Sequence, residues 1–215
     1  MGADGLESDA YLTQDRELVL YHEDKITYQG KPYALTQLTW KQIREIQLKN
    51  GRKIPLLRDI FDHFRDRRNH AGEPIIYSLD IKTIGMGDYL VDLASKMGMA
   101  NRIAITANDN YSNFWKKMAL WRKQCPDLHL VDTVHFDLQG LKRLFGKMYD
   151  QNWAKFAKYH VEAINIKAEY VTPAVLEEIK KRNLKVYVWN CHDEATLRKF
   201  FKLKVKAIYS NYPDL

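Results

Sequence analysis

Cysteine is scarce in this chain. Cys125 and Cys191 are the whole complement in 215 residues, and their spacing fits no metal-binding pattern. That excludes a disulfide framework and leaves two free thiols, read as small packing residues of a protein from a reducing compartment. No apolar run exceeds strand length, so no segment is expected to span a membrane. Met1-Gly2-Ala3-Asp4 provides neither a charged leader nor an apolar core ahead of the first strand. The expectation is therefore a cytoplasmic location. Glycine and proline, 10 and 6 residues, form no linker. With no repeat and no low-complexity tract, residues 1–215 read as a single domain. What is present is a globular composition: 46% hydrophobic and 12% aromatic residues exclude a disordered chain.

Acidic residues are outnumbered, 27 against 34 Lys and Arg, for a formal charge of +7. Such an excess suits a polyanion, but it is scattered over Lys116-Lys117, Lys142-Arg143, Lys180-Lys181-Arg182, Lys202, Lys204 and Lys206. Most of these lie on stretches that read as outer helices, where a solvated face is the usual explanation. A nucleic-acid-binding function would rest on charge alone, and the expectation is no nucleic-acid partner.

Short apolar runs alternate with amphipathic stretches. The runs are residues 5–12, 74–80 (PIIYSLD), 102–107 (RIAITA), 128–134 (LHLVDTV), 163–167 (AINIK), 185–190 (KVYVWN) and 207–210 (AIYS). Helical spacing marks residues 56–64, 88–96, 113–123, part of 138–159, 174–181 and 194–200. Thr172-Pro173 opens one helix with a cap and a first-turn proline, and Gly98 closes another. This alternation predicts a mainly parallel sheet with helical crossovers. Polar residues stand at nearly every strand end: Asp80 and Lys82, Asn108, Asp132 and His135, Lys167 and Glu169, Asn190, Asn211. A doubly wound sheet gathers ligands at one switch point, whereas a barrel uses all its C-terminal strand ends. The pattern favours a TIM-type (β/α)8 barrel, one strand short by this count.

Within GLESDAYLTQDRELVLYHE, Glu7 and Asp9 are two apart and share one face of a strand. Two carboxylates that close repel unless a cation or proton intervenes. Hard oxygen donors of this kind suit Mg²⁺ or Ca²⁺. Asp80, ending the next expected strand, could be a third acidic ligand, and Lys82 on its face could pair with an anion. Read from spacing alone, a solvated strand end with ordinary salt bridges explains these residues equally well.

The stretch GADGLESDAYLTQDRELVLYHE resembles the glycerophosphodiester phosphodiesterase family, whose pattern runs GAD-x-hydrophobic-E-x-D-hydrophobic-x-hydrophobic-T-x-D, then a Val-rich strand and His-Asp. KIPLLRDIF, SLDIK, KVYVWNCHD and AIYSNYPDL match further family segments in order, from Gly2 to Leu215. The resemblance implies a metal-dependent phosphodiester hydrolase acting on glycerophosphodiesters or lysophospholipids, small-molecule substrates that yield glycerol 3-phosphate or a related phosphate and an alcohol. It implies Glu7, Asp9 and Asp80 as ligands of a divalent metal, Mg²⁺ or Ca²⁺, with Asp80 where the family has a longer Glu. It further implies Lys82 as a phosphate contact, His22 as a general acid–base group, and Trp189 as an apolar wall for the alcohol part.

The family's opening His-Arg-Gly and Glu-Asn-Thr motifs have no counterpart in this sequence. None of His63, His70, His129, His135, His160 and His192 matches the lost histidine. The expectation is thus a (β/α)8 barrel lacking its first strand and helix and its last helix, truncated at both ends. An open edge of that kind invites a homo-oligomer. The alternative function is an impaired relative that binds a phosphorylated headgroup without turnover.

Overall fold

The computed structural model of the chain describes residues 3–108, 113–133 and 147–212. The chain divides into two compact units, Asp4–Ile105 and, together with Met1–Ala3, Thr106–Leu215.

The first unit opens with strand β1, Gly5–Leu12, which turns back through residues 13–17 into β2, Leu18–Leu20. The turn is held by side chains. The Thr13 hydroxyl donates to Asp15 Oδ1 (2.6 Å) and accepts from the Glu17 N–H (2.9 Å), while Arg16 takes the left-handed conformation (φ 66°). A separate hairpin follows, β3 (Lys25–Tyr28) with β4 (Lys31–Ala34). Gln29 and Gly30 both have positive φ, 48° and 76°, the two-residue turn that matches strand twist. Helix α1, Trp40–Ile43, starts at a capping box in which Thr39 and Gln42 satisfy each other's backbone N–H. Then come α2 (Leu57–His63), β5 (Ile76–Ile81), α3 (Met86–Lys96) and β6 (Ile103–Ala107), the last crossing from one unit to the next. Gly98, at φ 64°, ends the turn after α3 as expected.

Strands β1 and β5 are parallel, in register from Gly5↔Ile76 to Ala10↔Ile81. Gly5 is required there, because a Cβ would lie 2.5 Å from the Ile76 carbonyl oxygen. One face of β5 is apolar: Tyr77, Leu79 and Ile81 are buried, and Phe61 of α2 meets the Tyr77 ring edge-on at 4.9 Å. Buried Arg102 sits beside that ring. Its guanidinium donates to the carbonyls of Ile75 (3.0 Å) and Arg65 (2.6 Å), which fixes the start of β5. The opposite face of β1 and β5 carries Glu7, Asp9, Ser78 and Asp80.

The second unit contains α4 (Phe114–Gln124), β7 (His129–Thr133), α5 (Lys147–Lys158), β8 (Ala163–Lys167), α6 (Pro173–Lys180), β9 (Lys185–Trp189), α7 (Glu194–Lys202) and β10 (Ala207–Ile208). Strands β7 to β10 are all parallel and neighbour one another in chain order. No strand order reverses within this unit, so it has the sequential winding of a barrel rather than the switch point of a doubly wound sheet. Ile164, Ile166, Val186 and Val188 form a core with Val175, Leu176 and Ile179 of α6 and Leu197 and Phe200 of α7. Thr172 caps α6 through the Val175 N–H (3.2 Å), and Asp193 caps α7 through the Thr196 N–H (2.8 Å). Cys125 and Cys191 are buried free thiols, and burial pushes the Cys191 thiol up to about 11. That fits the packing role.

Within the described residues the expected strands and helices recur, with two main differences. The β3–β4 hairpin and α1 were not foreseen, because β3 and β4 have four residues each and only a weak apolar alternation. Strand β10 covers two residues rather than the four expected, although the Tyr209 N–H still donates to the Val188 carbonyl (2.8 Å). Val134, His135 and the first part of the 138–159 segment lie outside the described residues.

Candidate active site

The structure brings Glu7, Asp9, Asp80 and Lys82 together on one face of the first unit. Parallel pairing sets Asp9 directly beside Asp80, with Glu7 one pleat earlier beside Ser78. Lys82 follows β5 immediately and returns its side chain along the same face. Its ammonium lies 2.7 Å from Asp80 Oδ2 and also contacts Asp9 Oδ1. The sites are largely shielded: the side chains of Asp9, Lys82 and Asp80 are 13%, 28% and 30% exposed.

Charge is unbalanced here, with three carboxylates facing one ammonium. Burial, then repulsion from Asp9 and Asp80, pushes the Glu7 carboxyl up to about 7. Glu7 is nevertheless solvent-exposed, so water screens much of that repulsion. Asp80 is also raised, by burial, against the pull of Lys82. For Lys82, burial works against the charge, but Asp80 and Asp9 outweigh it and raise the ammonium above its usual range.

His22 stands two residues past β2. The Tyr21 N–H donates to the Asp9 carbonyl at 3.0 Å, which ties this return of the chain to the carboxylate strand. The imidazole is 83% exposed and its Nδ1 lies 3.0 Å from Glu23 Oε1. That contact, followed by the charge of Asp9, raises its pKa. Tyr11 was missed by sequence reading. It shares the face of Glu7 and Asp9 by i+2 spacing, is buried, and its raised hydroxyl pKa, mainly from burial, is also tuned by Lys82 and Asp9. The signal was the alternation Glu7, Asp9, Tyr11. By contrast, Asp15 of the T-x-D motif has its carboxylate occupied by Thr13 and by the Trp40 N–H (2.9 Å), so it builds the turn.

Trp189 lies in the second unit, at the C-terminal end of β9 beside Lys167. The Lys167 ammonium is 5.9 Å from the ring centroid and 2.8 Å from Glu169. The indole N–H is buried and has no hydrogen-bond partner among the described residues.

By chemical type, the three carboxylates are the oxygen donors that a hard divalent cation takes. They share one face of two register-matched strands, and a single lysine leaves part of their charge uncompensated. The donors are not a closed cage, however. Among the described residues no three Asp, Glu, His or Cys side chains surround one point closely enough to hold a metal, and Lys82 stands between Asp9 and Asp80.

With a parallel strand–helix fold and an acidic cluster at a strand end, the chain has the anatomy of a TIM-type barrel hydrolase. The profile of the glycerophosphoryl diester phosphodiesterase family matches residues 1–215, and the chain belongs to that family of hydrolases. It is 24% identical over 236 residues to a glycerophosphodiester phosphodiesterase of Caldanaerobacter subterraneus, covering 100% of this chain and 84% of the relative. Among solved structures it resembles a glycerophosphodiester phosphodiesterase of Agrobacterium tumefaciens (TM-score 0.71, 17% identity, 99% and 86% of the two chains). It also resembles an Oleispira antarctica phosphodiesterase solved with the product sn-glycerol-3-phosphate (TM-score 0.72, 13% identity, 99% and 83%). These likenesses fix the fold class as the (β/α)8 barrel type.

Proposed function

We propose that the chain is a metal-dependent phosphodiesterase that splits glycerophosphodiesters or lysophospholipids into glycerol 3-phosphate, or a related phosphate, and an alcohol. The observation that carries this reading is the register-matched cluster of Glu7, Asp9 and Asp80 with Lys82 on the same face. Those three carboxylates would hold Mg²⁺ or Ca²⁺. Bound there, the metal would supply Lewis-acid polarisation of a phosphoryl oxygen.

The chain's own groups account for the remaining work. Lys82 presents a permanent positive charge that meets the phosphate anion, because its ammonium stays protonated throughout the physiological range. His22, its pKa raised by the contact with Glu23 and its ring reachable from solvent, takes or returns a proton at the ring nitrogen not facing Glu23. Trp189 offers an apolar surface for the alcohol portion, which is the role the family resemblance implies for it.

A second reading is a relative that binds a phosphorylated headgroup without turnover. It is favoured by one observation: the His22 imidazole is 83% exposed and is engaged with Glu23. Release of glycerol 3-phosphate from glycerophosphoglycerol, with and without chelator, separates the two. Hydrolysis is expected to need Mg²⁺ or Ca²⁺, and His22→Ala should lower kcat by about 10²- to 10⁴-fold. Saturable, metal-dependent ligand binding by calorimetry with no product would select the second reading. Turnover unchanged in excess chelator would overturn the metal assignment.

A further inference from the structure

The last residues of α7 and the segment just after it, 198–206 (RKFFKLKVK), hold five basic residues in nine and no acidic one. Arg198 is paired with Glu194 one turn earlier. Lys199, Lys202, Lys204 and Lys206 are exposed and have no ion pair with a carboxylate among the described residues. The basic cluster at the end of α6 behaves differently. There Lys180, Lys181 and Arg182 are each paired with Glu177 or Glu178, so two carboxylates offset most of the three positive charges.

Phe201 stands among the unmatched lysines and is 73% exposed, whereas its neighbour Phe200 is fully buried in the core. A ring left in water in a lysine-rich segment gains nothing for folding, while the Lys199 ammonium lies 4.9 Å from the centroid of the buried Phe200 ring. Lys204 adds a second anomaly, since it occupies the left-handed position just past the helix (φ 54°), where glycine is preferred. The closing bonds, Lys204 N–H to the Phe201 carbonyl (3.1 Å) and Val205 N–H to the Phe200 carbonyl (3.4 Å), would form equally well with glycine. A charge is kept there at the expense of backbone fit.

We propose that this surface docks the protein onto anionic lipid. Lysines clustered around a protruding aromatic ring are complementary to a negatively charged headgroup layer, with the ring entering the headgroup–acyl boundary. Nucleic acid is the weaker match: single strands are held in grooves with successive stacking platforms, and here one ring projects from a helix end. The patch lies at the start of β9, where the Lys206 N–H meets the Val186 carbonyl (2.9 Å), whereas Trp189 ends that strand. Docking therefore leaves the C-terminal strand ends of this unit free.

The test is co-sedimentation of the full chain with vesicles of phosphatidylcholine alone and with roughly one third phosphatidylglycerol. Binding is expected only to the anionic vesicles and should vanish near 1 M salt, where the Debye length falls to about 3 Å. Replacing Lys199, Lys202, Lys204 and Lys206 by Gln should weaken it several-hundredfold, at about fivefold per charge. Phe201→Ser should weaken vesicle binding without changing affinity for duplex DNA. If the four-site variant folds poorly, Lys204→Gly still decides. It should raise the melting temperature and reduce vesicle binding about fivefold. Equal binding to both vesicle types, no binding to either, or a Phe201→Ser variant that binds anionic vesicles like the parent would each overturn the proposal. The last outcome would mark a general polyanion surface.

Discussion

Replacing Lys82 by methionine probes the centre of the site. The change keeps the aliphatic stem and removes the charge between Asp9 and Asp80. At 2.7 Å and an effective dielectric of about 20, the Lys82–Asp80 attraction alone is worth roughly 6 kcal/mol before desolvation is counted. Desolvation of the ammonium offsets much of that, which is why breaking a buried pair typically costs about 3–5 kcal/mol. The three side chains retain 13–30% exposure, so solvent screening lowers the figure to about 2–3 kcal/mol at neutral pH. Without Lys82 the two aspartates stand side by side with no cation between them, and their repulsion disfavours the charged folded state. The penalty is then present at neutral pH and shrinks as pH falls, vanishing only below about 4, where both states become protonated. Urea denaturation of parent and variant at several pH values measures this directly. Mg²⁺ or Ca²⁺ should restore part of the loss, since a divalent cation can take over the compensation. A destabilisation under about 0.5 kcal/mol that is independent of pH would refute the reasoning, because the pair would then be an ordinary screened surface contact.

Two further outcomes follow from the titration of single groups. Glu7 is raised from 4.5 to about 7, so the folded state holds its proton more tightly and parent stability should fall as pH rises between those values. Glu7→Gln should therefore melt higher than the parent above pH 7, by about 1 kcal/mol after discounting for its exposure to solvent, with the gap closing below pH 4.5. Glu162 has the opposite sign: despite burial, the contacts of His129 and Lys185, each 3.1 Å away, hold it down at about 2. Its contribution is present above its unfolded pKa and is lost as pH falls toward 2, so Glu162→Gln should cost about 1–2 kcal/mol at neutral pH and little in strong acid, as read by thermal melts.

Much of the candidate site could be read from the chain because it depends on local rules. Glu7, Asp9 and Tyr11 share a face through the two-residue period of a strand, and Asp80 and Lys82 do so for the same reason. The capping of α6 by Thr172 and the closure after α3 by Gly98 are likewise short-range. The resemblance to the phosphodiesterase family came from motifs whose order survives in a linear reading. The β3–β4 hairpin escaped because its turn, Gln29-Gly30, is a weaker signal than Asn-Gly and its strands hardly alternate.

How the Glu7–Asp9 pair meets Asp80 and Lys82 depended on tertiary structure. Nothing in the spacing says that Asp9 stands beside Asp80 rather than Glu7, because register between strands seventy residues apart is set by packing. Here Gly5 admits the Ile76 carbonyl, and Arg102 anchors the chain ahead of β5. The same register brings the Lys82 ammonium onto both aspartates and leaves Glu7 to carry the unrelieved charge. It also showed that Asp15, which stands in the family's motif, is a turn residue, since its carboxylate is already bonded to Thr13 and Trp40. Sequence by itself determined which residue types lie on which face. The parallel pairing of β1 with β5 decided which charges meet, because Coulomb energies depend on distances that only the folded chain fixes.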